Sequence, residues 1–261
     1  KINLMKASIL IANYNNENFI EDCINSLLHQ TYKNIEIIFF DDQSSDNSIK
    51  KVKKFDNVNL IINSKEKKKF GCYNQINSYR EAFNKSSGDL IFFLDSDDYY
   101  KVNKIEEIIK VFKENPNLKI IFDLPTFKYE KKEIIKKNNF YFYKSYWPFI
   151  PPQSCIAVSR NHLNDIFDLL DFDLFPKIWM DFRIGIISKY IFNEFKVLNK
   201  SYTYYRQSNE NISSNYKFLS KNWWNRRMEA HEYIMYFFKK NNIEHKKNPD
   251  YYITNIINKF L

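Results

Sequence analysis

LIFFLDSDD, residues 90–98, joins five consecutive apolar residues to three aspartates. A Gly-Asp pair precedes the apolar run, and the pattern predicts a strand that is buried on both faces of a mostly parallel sheet. Ligands of open α/β sheets bind beyond the carboxyl ends of the strands, which is where the three aspartates lie. The segment therefore predicts the fold class and the edge of the sheet at which a ligand binds.

The spacing of Asp95 and Asp97 indicates a metal-assisted site. Alternate side chains of an extended chain point the same way, so the two carboxylates converge on one object. Like charges held that close repel each other unless a cation lies between them. Mg²⁺ and Mn²⁺ take oxygen ligands, and Mg²⁺ commonly combines one or two carboxylates with phosphate oxygens. We therefore predict a diphosphate bridged by Mn²⁺ or Mg²⁺, with a solvated acidic turn as the alternative.

Strands and helices alternate around this segment. Apolar periodicity predicts strands at residues 8–12, 35–40, 58–62, 88–94, 120–123 and 140–143, and helices at 18–30, 48–55, 73–85, 103–112, 161–170, 179–190 and 218–240. Such alternation with short connections predicts an α/β fold with a doubly wound, mostly parallel sheet flanked by helices.

The composition of the 261 residues narrows the function classes. A net charge of +9 favours an anionic partner, but no nucleic-acid-binding motif is present, so we expect no nucleic acid as partner. Three scattered cysteines are typical of reduced thiols in the cytoplasm. No apolar run approaches the roughly 20 residues that a membrane span needs, and no segment resembles a secretory signal. We therefore expect a cytoplasmic protein.

Polar residues follow three of the predicted strands, at 13–16, 41–46 and 95–98, and these turns predict one shared crevice. Tyr14 is a candidate for stacking on a base, with half-buried packing as the alternative. Asp42 is a candidate acceptor for N–H groups of a base, or else a carboxylate that forms the turn. The lysines at 67–69, which include Lys69, either neutralise phosphate or form a solvated loop.

Four segments in order resemble the inverting family 2 glycosyltransferases with a GT-A fold. They are SILIANYN (8–15), SLLHQTY (26–32), IEIIFFDDQSSD (35–46) and GDLIFFLDSDD (88–98). The resemblance implies a GT-A catalytic domain at residues 1–215, with a nucleotide-sugar-binding half at 1–100 and an acceptor-binding half at 101–215. A helical C-terminal extension follows at 216–261.

The resemblance also implies roles for single residues in binding the nucleotide-sugar. Ala12 and Tyr14 line the base pocket and Asp42 pairs with uracil or another base. Asp95 lies near the ribose with Ser96 beside it, and Asp97 ligates the Mn²⁺ or Mg²⁺ ion. The family usually carries an Ala-Arg-Asn-like segment before the Gly-Asp strand, and this sequence departs from it with Ser78-Tyr79-Arg80. Arg80 is the candidate for contact with phosphate in this segment.

Inversion at an anomeric carbon needs a general base that faces the acceptor hydroxyl. In the family this base is an aspartate, often preceded by glutamate, at the start of a helix in the second half. Asp181 fits that position, although Met180 replaces the usual acid. A carboxylate that only complements the helix dipole is the alternative, and Asp171 and Asp173 are rival bases.

Three further features bear on the acceptor and on closure of the site. Residues 205–207 and 212–213 resemble a closing segment that orders as a lid over the donor. We expect residues 151–155 to form part of the acceptor floor, and Trp147 or Trp179 to stack on sugar, with simple packing of these rings as the alternative.

The expected partners are a nucleotide-sugar donor, with a UDP-sugar the most frequent in the family, and a glycan or lipid-linked acceptor of a bacterial surface polysaccharide. The basic, aromatic tail indicates peripheral contact with the anionic inner face of the membrane, with a structural helix pair or an oligomer contact as the alternative. Two other functions compete: a non-catalytic nucleotide-sugar-binding module and a sugar nucleotidyltransferase. The second is disfavoured because the turn after the first strand has no glycine to cradle a triphosphate.

Overall fold

The structure is a computed structural model that describes residues 4–130, 132–135, 149–207 and 216–261. The strands are β1 (Ala7–Asn13), β2 (Ile35–Asp41), β3 (Val58–Ile62), β4 (Leu90–Asp95), β5 (Tyr99–Tyr100), β6 (Ile120–Phe122), β7 (Pro125–Lys128), β8 (Glu133–Ile135), β9 (Ile156–Ser159), β10 (Lys196–Val197) and β11 (Thr203–Arg206). The α-helices are α1 (Ile20–Leu28), α2 (Ser48–Val52), α3 (Gly71–Asn84), α4 (Lys104–Glu114), α5 (Arg160–Leu169), α6 (Met180–Tyr190), α7 (Lys221–Lys240) and α8 (Pro249–Phe260). A 3₁₀ turn at Gln153–Cys155 precedes β9.

The main sheet has seven strands in the order β10-β6-β9-β4-β1-β2-β3. β1 pairs in parallel with both β2 and β4, and β2 pairs in parallel with β3. β9, which the sequence did not predict, lies antiparallel between β4 and β6. The prediction of an α/β fold with a mostly parallel sheet is confirmed.

The central strands are buried on both faces because helices cover each side of the sheet. Alternate residues such as Ile9 and Phe92 pack into a core that includes α1 and α4. Their neighbours, such as Leu10 and Phe93, pack into a second core with residues of α3, α5, α6 and α7. Side chains that alternate across a strand thus serve two cores, which is why the sequence of β4 is continuously apolar.

Gly88 lets the chain enter β4 close to β1. A Cβ atom at this position would lie 2.5 Å from the Ser8 hydroxyl oxygen and 2.8 Å from the Lys6 carbonyl oxygen. Such distances leave no room for a side chain, so glycine permits the close approach of the two strands.

A second, four-stranded sheet has the order β5-β11-β7-β8 and continues from the carboxyl end of β4. A fully buried hydrogen-bond network joins this sheet to the main body, and at its centre Lys104 Nζ lies 2.9 Å from Asp123 Oδ1. The same ammonium group donates to the Thr203 hydroxyl at 2.6 Å and to the Ser154 carbonyl at 2.7 Å. This network fixes β11 against the 3₁₀ turn.

The C-terminal helices pack against the main body of the fold. Tyr233, Ile234 and Phe237 of α7 are buried in the same core as α3 and α5, and α8 is connected to α7 through the Arg227–Asp250 ion pair. Among the described helices, none combines the length and apolar character that crossing a membrane requires. The strand predicted at 140–143 and Trp147 lie outside the described residues.

Candidate active site

A cavity of about 630 Å³ opens at the carboxyl ends of β1, β2 and β4, at the edge that the acidic segment predicts. Seven of the residues predicted to bind the donor, ligate the metal or act as base line it: Ala12, Tyr14, Asp42, Lys69, Asp95, Asp97 and Asp181. Short connections bring these side chains together, because each parallel strand delivers its following turn to the same edge.

Asp95 and Asp97 face this cavity from the end of β4. Oδ1 of Asp95 accepts hydrogen bonds from the Gln75 amide at 2.8 Å and the Tyr79 hydroxyl at 2.6 Å. Burial raises the pKa of Asp95 to about 6, although these two donors oppose the change. Burial and the charge of Asp95 raise the pKa of Asp97 to about 7. Neither carboxylate forms an ion pair with another residue in the part of the chain that the structure describes.

These two carboxylates fit a divalent cation. Their raised pKa values mean that two adjacent charges are poorly compensated by the protein, and a dication would stabilise the ionised forms. The described residues contain no group of three or more acidic, histidine or cysteine side chains placed to hold a metal. One or two carboxylates are nevertheless the protein ligands that Mg²⁺ commonly uses when phosphate oxygens complete its coordination.

Asp98 and Ser96 lie behind the cavity wall and do not line it. Asp98 is buried and accepts hydrogen bonds from the Ser154 hydroxyl and, at 2.9 Å, from the backbone N–H of Arg206. The fully buried Ser96 hydroxyl accepts the Asn16 side-chain amide at 2.8 Å. Asp98 therefore anchors β11 and the 3₁₀ turn to the end of β4, and the nucleotide role of Ser96 stays a prediction.

The Tyr14 side of the cavity carries an aromatic ring, a cation and a carboxylate. Tyr14 is 52% exposed, and Lys67 Nζ lies 3.2 Å from the centre of its ring. The same ammonium group is 3.6 Å from Asp42 Oδ2, while Asp42 Oδ1 accepts the Asn63 amide at 2.6 Å. A nucleobase bound on this side would find a hydrogen-bond donor, Lys67, and a hydrogen-bond acceptor, Asp42, beside the Tyr14 ring.

Hydrogen bonds between two turns hold this side in place. Asp41 at the end of β2 accepts from the Asn13 amide at 2.7 Å and from the Ser44 N–H at 2.8 Å. Asn15 has a φ of 52°, a left-handed conformation that asparagine adopts more readily than most residues. Its backbone N–H donates to the Ser44 hydroxyl at 2.9 Å. The turns after β1 and β2 are therefore joined directly.

Asp181 reaches the cavity from the first turn of α6. Its Oδ1 accepts the Phe182 N–H at 2.6 Å, and burial raises the pKa of Asp181 to about 7. The buried Arg183 guanidinium holds the preceding loop by donating to backbone carbonyls of Asp171, Leu174, Phe175 and Ile178.

The rival bases lie outside the cavity. Asp171 accepts from Tyr236 at 2.9 Å and from Lys240 at 2.6 Å, and these hydrogen bonds hold its pKa below the ordinary value against the opposing effect of burial. Asp173 is exposed and accepts the Tyr73 hydroxyl at 3.0 Å. Of the three aspartates, only Asp181 faces the same space as Asp95 and Asp97.

Arg80 points away from the cavity. Its guanidinium donates to Asn77 at 3.1 Å and lies 4.6 Å from the centre of the Phe172 ring, and the residue does not line the cavity. Its contact with phosphate stays a prediction. Lys67 and Lys68 line the cavity beside Lys69, so this loop brings several cations to the site.

Several cavity residues were not predicted to bind the donor or act as base. Gln75 lines the cavity, whereas Tyr79 is fully buried and holds Asp95 through its hydroxyl. The two residues are four apart on α3, and this spacing places them on one helix face, which is the signal that could have found them. Arg226 of α7 gave no local signal. Of the acceptor candidates, Trp179, Pro152 and Gln153 line the cavity, as does Tyr205 from the closing segment. Residues 208–215, the rest of that segment, lie outside the described residues.

Comparison with known proteins identifies the family. The family model described as "Glycosyl transferase family 2" matches residues 8–170, more than half of the chain. An uncharacterized glycosyltransferase of Nostoc sp. is 26% identical over 224 residues, which are 77% of this chain and 65% of that protein. An Escherichia coli UDP-Glc:alpha-D-GlcNAc-diphosphoundecaprenol beta-1,3-glucosyltransferase is 37% identical over 134 residues, 51% of this chain and 47% of the relative. The chain thus spans between about half and two thirds of these relatives.

Solved structures share the fold at low identity. S. aureus TarS (residues 1–349), in complex with UDP, has a TM-score of 0.61 and 18% identity, covering 87% of this chain and 64% of that one. The mannosyltransferase PcManGT from Pyrobaculum calidifontis, in complex with GDP-Man and Mn²⁺, has a TM-score of 0.59 and 12% identity, covering 97% of this chain and 69% of that one. The GT-A fold expected from the four segments is confirmed.

Proposed function

The chain belongs to glycosyl transferase family 2, and on this premise we propose that it transfers a sugar, with inversion, from a nucleotide-diphosphate sugar to an acceptor hydroxyl. One observation carries the proposal: Asp95 and Asp97 share a cavity with Asp181, and Tyr14 and Asp42 line the same space. The cavity therefore offers binding sites for the diphosphate and for the nucleobase of the donor, and a carboxylate that can take the proton of the acceptor hydroxyl.

Asp181 acts as general base in this mechanism. Its carboxylate takes the proton of the acceptor hydroxyl while the hydroxyl oxygen forms a bond to the anomeric carbon of the donor sugar. The bond between that carbon and the β-phosphate oxygen breaks, and the nucleoside diphosphate leaves with the electron pair. The pKa of about 7 suits a base that must be ionised near neutral pH and still bind a proton.

Asp97, with Asp95 beside it, would hold Mn²⁺ or Mg²⁺. When bound, such an ion compensates the negative charge of the diphosphate that leaves. Tyr79 and Gln75 hold Asp95 in place, and the lysines of the 67–69 loop add positive charge at the cavity wall.

The donor in this proposal is a UDP-sugar. Asp42 offers an acceptor, and Lys67, which lies over the Tyr14 ring, offers a donor; this pair suits the N3–H and the neighbouring carbonyl of uracil. The printed name of the Escherichia coli relative and the UDP bound to TarS support this choice of donor.

The acceptor is a glycan or a lipid-linked sugar of a bacterial surface polysaccharide, and transfer takes place in the cytoplasm at the inner face of the membrane. The net charge of +9 and the named acceptor of the Escherichia coli relative support this part of the proposal. Flotation with vesicles that contain anionic lipid tests it, since protein that stays entirely at the bottom of the gradient contradicts membrane contact.

A screen of donor hydrolysis tests the function itself. UDP-glucose, UDP-GlcNAc and GDP-mannose are each incubated with the protein and Mn²⁺, Mg²⁺ or a chelator, and release of the nucleoside diphosphate is measured. We expect the protein to release UDP from a UDP-sugar, and we expect the chelator to abolish this release. A protein that binds donors without turnover, with or without added acceptors, would instead be a nucleotide-sugar-binding module. Arg80 outside the cavity and Met180 in place of the family's usual acid favour that second candidate.

A further inference from the structure

Arg226 is a cation in the cavity that the mechanism above does not use. It belongs to α7, beyond the residues that match the family model, and it lines the cavity together with Asp181. Its guanidinium carbon lies 3.4 Å from the centre of the Trp179 ring and 4.1 Å from the centre of the Tyr216 ring. These contacts restrict the guanidinium plane but occupy none of its N–H donors.

The protein gives this cation little compensation. Among the residues that the structure describes, no carboxylate lies within ion-pair distance of Arg226, and its only hydrogen-bond contact is with Cys72 Sγ at 3.7 Å. Its Nε is buried and has no partner there. Burial also lowers the pKa of Arg226, although nearby groups that include Asp181 oppose this change. A poorly paired, largely buried cation costs free energy unless an anion joins it.

Arg226 lies on the Asp181 side of the cavity. It stacks on Trp179, two residues before the proposed base, and its charge lowers the pKa of Asp181. An anion bound by Arg226 would therefore lie beside the hydroxyl that Asp181 deprotonates.

We propose, on the basis of the function proposed above, that Arg226 binds an anionic group of the acceptor, a phosphate or a carboxylate close to the hydroxyl that Asp181 deprotonates. A guanidinium suits this task because its planar N–H groups match the two oxygens of either anion. The aromatic contacts hold the group ready before the acceptor binds. The substrate class is thus an acidic acceptor.

Calorimetry with the donor site filled tests this inference. With UDP and Mn²⁺ at saturation, methyl phosphate, methyl galacturonide and, as the neutral blank, methyl galactoside are each titrated into the protein. We expect one of the two anions to bind, which identifies the source of the charge, and the blank not to bind. Arg226→Gln weakens that binding at least tenfold and leaves UDP affinity unchanged. Lys239→Gln, which removes an exposed charge from the same helix, changes neither.

Two results overturn the inference. Anion binding that is absent in wild type, or equally strong in wild type and Arg226→Gln, shows that Arg226 holds no acceptor anion, and a tenfold loss of UDP affinity in Arg226→Gln places Arg226 on the donor diphosphate. If Arg226→Gln does not fold, Arg226→Lys carries the test, because it keeps the charge and loses the planar fork, and we expect several-fold weaker anion binding. Failure of wild-type protein to bind UDP with Mn²⁺ would instead contradict the proposed function, and the inference with it.

Discussion

Replacing Asp181 by asparagine removes the proposed base and keeps the shape of the side chain. General-base catalysis contributes about 10²–10⁴-fold to a rate, so we expect transfer by Asp181→Asn to fall at least about a hundredfold. Donor affinity should stay within about threefold of wild type, because Asp181 approaches from α6 while the proposed metal ligands lie at the end of β4. The rate is measured as release of UDP from a UDP-sugar that the donor screen shows to be a substrate. The affinity for UDP is measured by calorimetry.

The pH dependence gives this prediction a second readout. Burial raises the pKa of Asp181 from 3.8 to about 7, so the base is ionised in about a tenth of the molecules at pH 6 and about nine tenths at pH 8. At saturating Mn²⁺, kcat/KM of wild type should therefore rise about tenfold over this range, and the residual activity of Asp181→Asn should not.

Asp173→Asn is the matched control, since this exposed carboxylate lies outside the cavity and its loss should leave both the rate and the pH profile unchanged. The reasoning is refuted if Asp181→Asn keeps more than a tenth of the wild-type rate, or if it retains the tenfold rise with pH.

Three further predictions concern stability and the surroundings of the site. Lys104→Met leaves a buried carboxylate unpaired and should lower the free energy of unfolding by about 3–5 kcal/mol in urea titrations, whereas Lys110→Met on the exposed side of the same helix should change it by less than about 0.5 kcal/mol. Tyr79→Phe removes a hydrogen bond to Asp95, and since bonds to charged groups contribute about 1.5–3 kcal/mol, UDP affinity with Mn²⁺ should fall at least about tenfold; an unchanged affinity contradicts the role of this contact. The raised pKa of Asp181 means that wild type loses stability as pH rises from about 4 through about 7, so Asp181→Asn should be the more stable protein at pH 8, by up to about 4 kcal/mol, and a less stable variant contradicts this.

Local periodicity was enough to predict the parallel half of the fold. The α-helices predicted between residues 18 and 240 begin and end within three residues of the observed ones, because their apolar spacing reports directly on burial. β9 was not predicted because it is only four residues long and its sequence gives no sign of the strands with which it pairs. In the structure it lies between β4 and β6. The second sheet is built from strands of two to four residues, too short for a pattern to develop.

The C-terminal helix α8 had a local signal that was not used. Asn248 caps it by accepting the N–H of Tyr251, and Pro249 occupies its first turn, an arrangement typical of helix starts. In the site, likewise, some residues can be predicted from the local sequence, and others only from contacts between segments that are far apart in sequence. Asp95 and Asp97 are evident from one strand end, whereas Arg226 reaches the cavity only because α7 packs against the core. Contacts that join residues far apart in sequence leave no periodic trace in either of them.

The claim on which the account rests is that a divalent cation at Asp97 anchors the donor diphosphate. Calorimetric titration of UDP into wild type and Asp97→Asn, each with Mn²⁺ and with a chelator, tests it most directly. We expect Mn²⁺ to strengthen UDP binding to wild type at least about a hundredfold and to leave binding to Asp97→Asn unchanged. Equal strengthening by Mn²⁺ in both proteins would contradict the account.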